Sequence, residues 1–293
     1  MRSLLVELVL VVGIAFALSQ DAGGFVDPEG LLAAQLPDGR FVEVGVNDDL
    51  GYEVTLFDTH AKVIRSMDGA ALWADEFVPA LVCGLGANRI LVLDNPGSKS
   101  RKAITFDVAT GKVVAKAVFP ISHVDGIHPM SDGSLLAQDG PDFIDLSKSG
   151  KVLWQKRILI DTHGDSKLSP VYDAFGIMAD GSVVTFQDQT HRLQLWDSKF
   201  KPLKTITMPN KVDFWFTQRM GVGKGGFWLE QWPLENGVLV KIDLTGKASA
   251  PRKVHLEDGS EFSWLDFIGE TADGDPVVWF GAMMVVGPGG KVK

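Results

Sequence analysis

The stretch that decides the fold is residues 126–156, which read GIHPMSDGSLLAQDGPDFIDLSKSGKVLWQK. Four short apolar runs alternate there with turn signals such as Asp132-Gly133. Apolar runs of this length, separated by Asp-Gly and similar turns, are typical of strands joined as hairpins. We therefore predict four antiparallel strands, at Gly126–Met130, Ser134–Gln138, Asp142–Leu146 and Lys151–Lys156.

The same unit recurs along the chain. In each copy an apolar strand ends in a marker residue, a short turn follows, and Gly-Lys or Lys leads into another apolar strand. The marker residues are Asp58, Asp107, Asp145, Asp197, Asp243 and, in a degenerate copy, Gly287. They are 38 to 52 residues apart, and the mean of about 46 is near the length of a four-stranded propeller blade.

The repeat predicts an all-β protein, a six-bladed β-propeller of four-stranded antiparallel blades. A ring of radially packed sheets leaves only short edges exposed, which is one way an all-β chain protects its edge strands. Residues 20–293 form this single domain. Two modes of ring closure remain open: residues 20–30 add a strand to the last blade, or the closure is loose.

Two segments carry a resemblance to known families. Residues 107–112 read DVATGK and residues 145–154 read DLSKSGKVLW, and both resemble repeats of quinoprotein-type and arylsulfotransferase-type propellers. The six-blade count is similar to the TolB-like and NHL group. The resemblance spans the mature chain but lies in turns and packing layers. It implies a fold that serves lactonases, sulfotransferases, dehydrogenases and binding scaffolds alike, so it selects no activity.

The N-terminus has the layout of a secretory signal peptide. Arg2 precedes an apolar run from Leu4 to Leu18, broken only by Glu7, and Ala17-Leu18-Ser19 suits cleavage before Gln20. We predict a signal peptide at residues 1–19 and a secreted or periplasmic protein with no membrane span after cleavage. The alternative is an uncleaved anchor, for which a run of about 15 residues is short.

The net charge limits the kinds of partner that the protein can bind, and the cysteine content limits how its fold can be stabilised. The net charge is −9, and it stays −9 after cleavage because residues 1–19 contain one Arg and one Glu. Nucleic acid is therefore excluded as a partner, since binding it needs a basic surface. Cys83 is the only cysteine, so no intramolecular disulfide forms. Its apolar surroundings predict a small buried hydrophobic residue.

Acidic residues recur where the first strand of each repeat begins. The copies are Asp27, Asp75, Asp125, Asp173, Asp213 and Asp266. Equivalent positions in radial repeats lie on a circle around the axis, so Asp75, Asp125, Asp173, Asp213 and Asp266 are predicted to form one acidic channel mouth. The loops between second and third strands, such as 138–139, 187–189 and 230–231, add further acids and amides. His123, His163, Trp215 and Trp264 are predicted to lie beside the ring.

The acidic mouth has two interpretations. In the first it binds a small molecule, a glycan or a protein, with Ca²⁺ or Mg²⁺ held by Asp125, Asp173 and Asp266, because hard cations take oxygen ligands and clustered carboxylates need a counterion. In the second each Asp merely caps turn amides. The leading hypothesis is an extracytoplasmic binding propeller. The alternative is an enzyme of lactonase, sulfotransferase or quinoprotein type that uses the channel, and no catalytic residue is identified for it.

Overall fold

The described part of the chain is built from β-strands and turns. The computed structural model describes residues 32–46, 52–69, 77–94, 100–121, 124, 126–160, 171–172, 174–187, 190–208, 221–231, 237–255, 265–279 and 282–292. Within these ranges the one helical segment is a short 3-10 turn at Pro288–Gly290.

The strands form six antiparallel sheets, each made of consecutive strands in chain order. We name the sheets blades 1 to 6 and their strands first to fourth. The strands are, by blade, β1 Ala33–Gln35, β2 Phe41–Val46, β3 Tyr52–Phe57, β4 Val63–Asp68; β5 Pro79–Gly86, β6 Arg89–Asp94, β7 Arg101–Asp107, β8 Lys112–Phe119; β9 Gly126–Pro129, β10 Leu135–Asp139, β11 Asp142–Leu146, β12 Val152–Arg157; β13 Ala174–Ile177, β14 Val183–Gln187, β15 Arg192–Trp196, β16 Pro202–Thr207; β17 Gly221–Gly223, β18 Gly226–Gln231, β19 Val238–Asp243, β20 Arg252–Lys253; β21 Asp266–Glu270, β22 Pro276–Trp279, β23 Met283–Val285.

The blades close into a ring. The first strands β1, β5, β9, β13, β17 and β21 contact one another in that order, and β21 contacts β1. The predicted six-bladed propeller is therefore confirmed. Blade 6 departs from the predicted four strands: in its described part the fourth place is taken by one bridge between Val286 and Val292. The predicted strand at residues 20–30 lies outside the described residues.

The hydrophobic core lies between neighbouring blades. One buried cluster joins Val54 of blade 1 to Phe106 of blade 2, and another joins Phe143 of blade 3 to Phe175 of blade 4. Central strands such as β14 are buried along their whole length, as sheets packed on both faces require. Cys83 is buried as predicted, with its thiol near the carbonyl of Gly84.

Most of the marker residues cap the turn between the third and fourth strands of their blade. Asp58, for example, accepts hydrogen bonds from the N–H groups of Lys62 and His60 at 2.9 and 2.8 Å. These bonds hold its pKa below the usual range although desolvation opposes them. In blade 3 the marker residue predicted from the sequence is not the residue that caps the turn. Asp145 is a buried member of β11, whereas Ser147 caps the turn by accepting from the N–H of Lys151 at 3.1 Å.

Candidate functional site

The propeller has two distinct faces. The first strand of each blade begins on one side, here called the mouth face, where the second strands end and the third strands begin. The opposite side, here called the turn face, carries the turns between first and second strands, such as Asp132-Gly133, and those between third and fourth strands.

One residue of the predicted acidic ring lies within the described ranges. Asp266 is the first residue of β21, opposite Trp279 in the sheet register, and this places its backbone on the mouth face. The other predicted site residues lie outside the described residues: Asp75, Asp125, Asp173, Asp213, His123, His163, Trp215 and Trp264. Convergence of the ring therefore stays a prediction. Within the described ranges, no group of three or more His, Cys, Asp or Glu is arranged to hold a metal ion.

A buried carboxylate stands next to Asp266. Glu230, in β18 of blade 5, is 7% exposed. Its Oε1 accepts a hydrogen bond from the N–H of Gly237 at 3.3 Å, and its Oε2 accepts one from the N–H of Leu265 at 3.2 Å. Burial raises the pKa of Glu230 to about 7; the two N–H donors oppose this rise and the charge of Asp266 adds to it. Two carboxylates from neighbouring blades thus meet at the mouth face, and one of them exchanges its proton near neutral pH.

Glu230 has a structural counterpart in blade 3. The amide of Gln138 donates to the carbonyl of Tyr172 at 2.7 Å and to that of Gly140 at 3.1 Å. Tyr172 precedes Asp173 in the chain as Leu265 precedes Asp266. In both blades, therefore, a buried polar side chain of the second strand is hydrogen-bonded to the backbone just before the next blade's first strand. The residue that follows this contact is a carboxylate of the predicted acidic ring.

A second carboxylate ties the two ends of the described chain together. Glu43, in β2 of blade 1, accepts a hydrogen bond from the N–H of Met283 in blade 6 at 3.2 Å. Desolvation raises the pKa of Glu43 to about 6, and the neighbouring charge of Glu53 acts in the same direction. The sequence interpretation missed Glu43 altogether and placed Glu230 in a loop. The signal was present: each is a lone carboxylate in an apolar strand, in Val42-Glu43-Val44 and Leu229-Glu230.

The central channel is narrow, and most of the side chains that line it are apolar. A cavity of about 200 Å³ runs between the first strands of all six blades. Its polar side chains are Gln35, Cys83 and His128. Gln35 is held by a 2.7 Å hydrogen bond to the carbonyl of Glu270, and the ring of His128 packs edge-on against Phe175 with 4.8 Å between centroids. None of the acidic groups described above lines this cavity.

Comparison with known proteins identifies the fold. No protein-family model matches the chain, and no curated protein sequence matches it. A streptogramin B lyase structure has a TM-score of 0.51 and 11% identity, covering 89% of this chain and 80% of its own. A virginiamycin B lyase from Staphylococcus aureus gives 0.49 and 11%, with 85% and 76% coverage, and a protein of unknown function from Bacteroides caccae gives 0.49 and 11%, with 86% and 91%. At such identity the likeness concerns the propeller fold alone. Among the described residues, no helix is long and apolar enough to cross a membrane.

Proposed function

We propose that this protein is an exported six-bladed propeller that binds a ligand at its acidic mouth face. The ligand is a small molecule, a glycan or a protein segment that offers hydrogen-bond donors or positive charge, with Ca²⁺ or Mg²⁺ as an associated cation. The observation that carries the proposal is the meeting of Glu230 and Asp266 from adjacent blades.

The electrostatics of that pair favour a cation. Two nearby carboxylates disfavour each other's ionised form, and a bound cation or donor relieves the repulsion. Because the pKa of Glu230 is about 7, a cation would compete with its proton near neutral pH. We therefore expect binding at the mouth to strengthen between pH 6 and pH 8.

The test is thermal unfolding with millimolar Ca²⁺ or Mg²⁺. A ligand that binds only the folded state raises the melting temperature. We expect a rise in the wild type, its loss in Asp266→Asn and in the Asp125→Asn/Asp173→Asn double variant, and its retention in Asp273→Asn. The last variant is the matched control, since Asp273 is an exposed carboxylate on the turn face. No rise in the wild type, or equal rises in all variants, contradicts the proposal.

Export is tested separately. Expression of the full chain with its own N-terminus, followed by N-terminal sequencing, is expected to yield a protein that begins at Gln20. Recovery of membrane-bound protein that retains Met1 would identify residues 4–18 as an anchor instead.

One observation favours the enzymatic alternative. A general acid or base works best with a pKa near the operating pH, and Glu230 meets this condition. Candidate activities are those of lactonases, sulfotransferases and quinoproteins, and the fold likeness to streptogramin B lyase adds a lyase. A screen of lactones, aryl sulfates and streptogramin B decides the matter. Turnover that Glu230→Gln abolishes, in a variant that still unfolds cooperatively, favours an enzyme over a binding protein.

A further inference from the structure

A second cavity lies on the turn face, between blades 5 and 6. This groove encloses about 420 Å³, within the range of small-molecule sites. Trp228 and Lys241 of blade 5 line one side, together with the segment 249–252 that leads into β20. Gly274 and the turn at Pro288-Gly289 of blade 6 line the other. The groove lies at the opposite end of the molecule from the mouth face, so its function is independent of the one proposed there.

The guanidinium of Arg252 is held in one orientation in this groove. Its Nη1 donates both to Asp275 Oδ1 at 3.0 Å and to the carbonyl of Val286 at 3.2 Å. Its Cζ lies 5.2 Å from the ring centroid of Trp228, in a cation–π contact. No described residue accepts a hydrogen bond from Nε or Nη2 of Arg252. These two parallel N–H groups form the edge with which arginine binds a carboxylate or phosphate in bidentate fashion.

Lys241 supplies a second cation over the same ring. Its Nζ lies 5.4 Å from the Trp228 centroid and donates to Glu270. Glu270 is 7% exposed and also accepts from the indole N–H of Trp228 and, at 2.7 Å, from the N–H of Lys224. This carboxylate positions the lysine, and the one bond that Lys241 makes to it uses one of three ammonium donors.

We infer that the groove binds an oxyanion, the carboxylate or phosphate group of a small ligand, through the unused edge of Arg252 with Lys241 as the second cation. Both cations are prepared for such a ligand because Trp228, Asp275 and Glu270 hold them in place before it arrives. Their side chains are 26% and 23% exposed, so a ligand reaches them while most of their surface is already desolvated. A charge-assisted bidentate bond is among the stronger hydrogen-bonded contacts available to a protein.

The test is calorimetric titration of the full folded protein with inorganic phosphate and, separately, with acetate, each against sodium chloride at equal ionic strength. We expect binding of at least one of these anions to the wild type, and a loss of about tenfold or more in affinity in Arg252→Gln, as removal of a charged hydrogen-bond donor predicts. Arg157→Gln is the matched control, because Arg157 is 63% exposed and pairs with Asp142 in blade 3. The anion that binds more tightly indicates whether the ligand of the groove carries a phosphate or a carboxylate group.

A second variant separates loss of the anion contact from structural change, because Arg252→Gln also removes the hydrogen bonds to Asp275 and Val286. Gly274→Asn keeps every charge and adds a side chain at the groove wall, where an added Cβ meets no atom within 4 Å. Asn tolerates the positive φ of 82° at this position better than most residues do. We expect weaker anion binding in a variant that stays folded, with a melting temperature lowered by the strain of the positive φ. Equal anion affinity in the wild type and Arg252→Gln, or no binding of either anion by the wild type, overturns the inference.

Discussion

The Gly-Lys element of the repeat reflects the backbone conformation of a single residue. In the turn between third and fourth strands, the residue before the recurring Lys has a positive φ in all six blades: Ala61, Gly111, Gly150, Phe200, Gly246 and Gly290. An L-residue in this left-handed region costs about 1–2 kcal/mol. Phe200 offsets the cost by burial, since it is 2% exposed and its ring centroid lies 4.6 Å from that of Phe143.

Ala61 and Phe200 share this conformation but differ in packing, so glycine at the two sites should have opposite effects. We expect Ala61→Gly to raise the free energy of unfolding by up to about 1 kcal/mol, because strain is released where little is buried. Phe200→Gly is expected to lower it by about 3 kcal/mol, because the loss of a buried aromatic ring outweighs the strain released. Urea unfolding midpoints measure both. A stabilised Phe200→Gly variant would show that packing does not compensate for the strain.

At the level of whole strands, basic side chains connect the fourth strands of blades 1, 3, 4 and 5 to the following blade. Lys156 donates to the carbonyl of Phe200 at 3.1 Å, and Lys204 donates to that of Leu244 at 2.8 Å. Arg65 makes the equivalent bond to Val108, and Arg252 makes it to Val286. In each case the acceptor lies in or beside the turn between the next blade's third and fourth strands. The contacts between blades 6 and 1 are different ones, made by Gln35 and Glu43.

Removal of one such connection should weaken the seam between two blades. We expect Lys204→Met to lower the free energy of unfolding by about 1 kcal/mol, the usual value of a hydrogen bond that is partly screened by solvent. Lys201→Met is the control, because Lys201 is an exposed residue in the neighbouring turn. Equal urea midpoints for the two variants would mean that the bond from Lys204 contributes nothing to the seam.

For the whole molecule, blade 6 is held on both sides by carboxylates with raised pKa values. Glu230 binds the N–H of Leu265 from blade 5, and Glu43 binds that of Met283 from blade 1. A raised pKa means that the folded protein holds a proton that the unfolded chain has released. Stability therefore falls as pH rises from about 4.5 through the folded pKa values of about 6 and about 7.

Stability should accordingly increase on acidification from pH 8 to pH 5. For Glu230 the rise in pKa from 4.5 to about 7 corresponds to about 3 kcal/mol. We expect the melting temperature to rise by several degrees over this range in the wild type, by less in Glu230→Gln or Glu43→Gln, and to change least in the double variant. Asp273→Asn, which removes an exposed carboxylate, is expected to keep the wild-type profile.

The trend should reverse below about pH 4. The turn carboxylates Asp58, Asp107, Asp197 and Asp243 have pKa values lowered by backbone or side-chain hydrogen bonds, so their protonation removes those bonds. A melting temperature that declines steadily from pH 8 to pH 5 would contradict the assignment of raised pKa values to Glu43 and Glu230.

The propeller could be predicted from the sequence because its signals are local. Alternating apolar runs and left-handed turn residues depend on neighbours a few positions away, and their recurrence about every 46 residues, close to a blade's length, counts the blades. The strands predicted for residues 126–156 agree with β9 to β12 to within one residue at each end. The same reasoning failed at Asp145. The residue that caps a turn is set by the register of the strands, and in the sequence Ser147, two residues later, fits the capping position as well as Asp145 does.

The chemistry of the individual sites was decided by tertiary structure alone. A lone Glu in a strand has no unusual pKa until neighbouring blades remove water from it, as they do for Glu43 and Glu230. Arg252 and Lys241 are unremarkable in the sequence and meet over Trp228 only when strands of one blade pair. Their carboxylate partners, Asp275 and Glu270, come from the next blade. The sequence determined the repeating unit through short-range periodicity, whereas burial and the approach of charged groups arose from packing between residues distant in the chain.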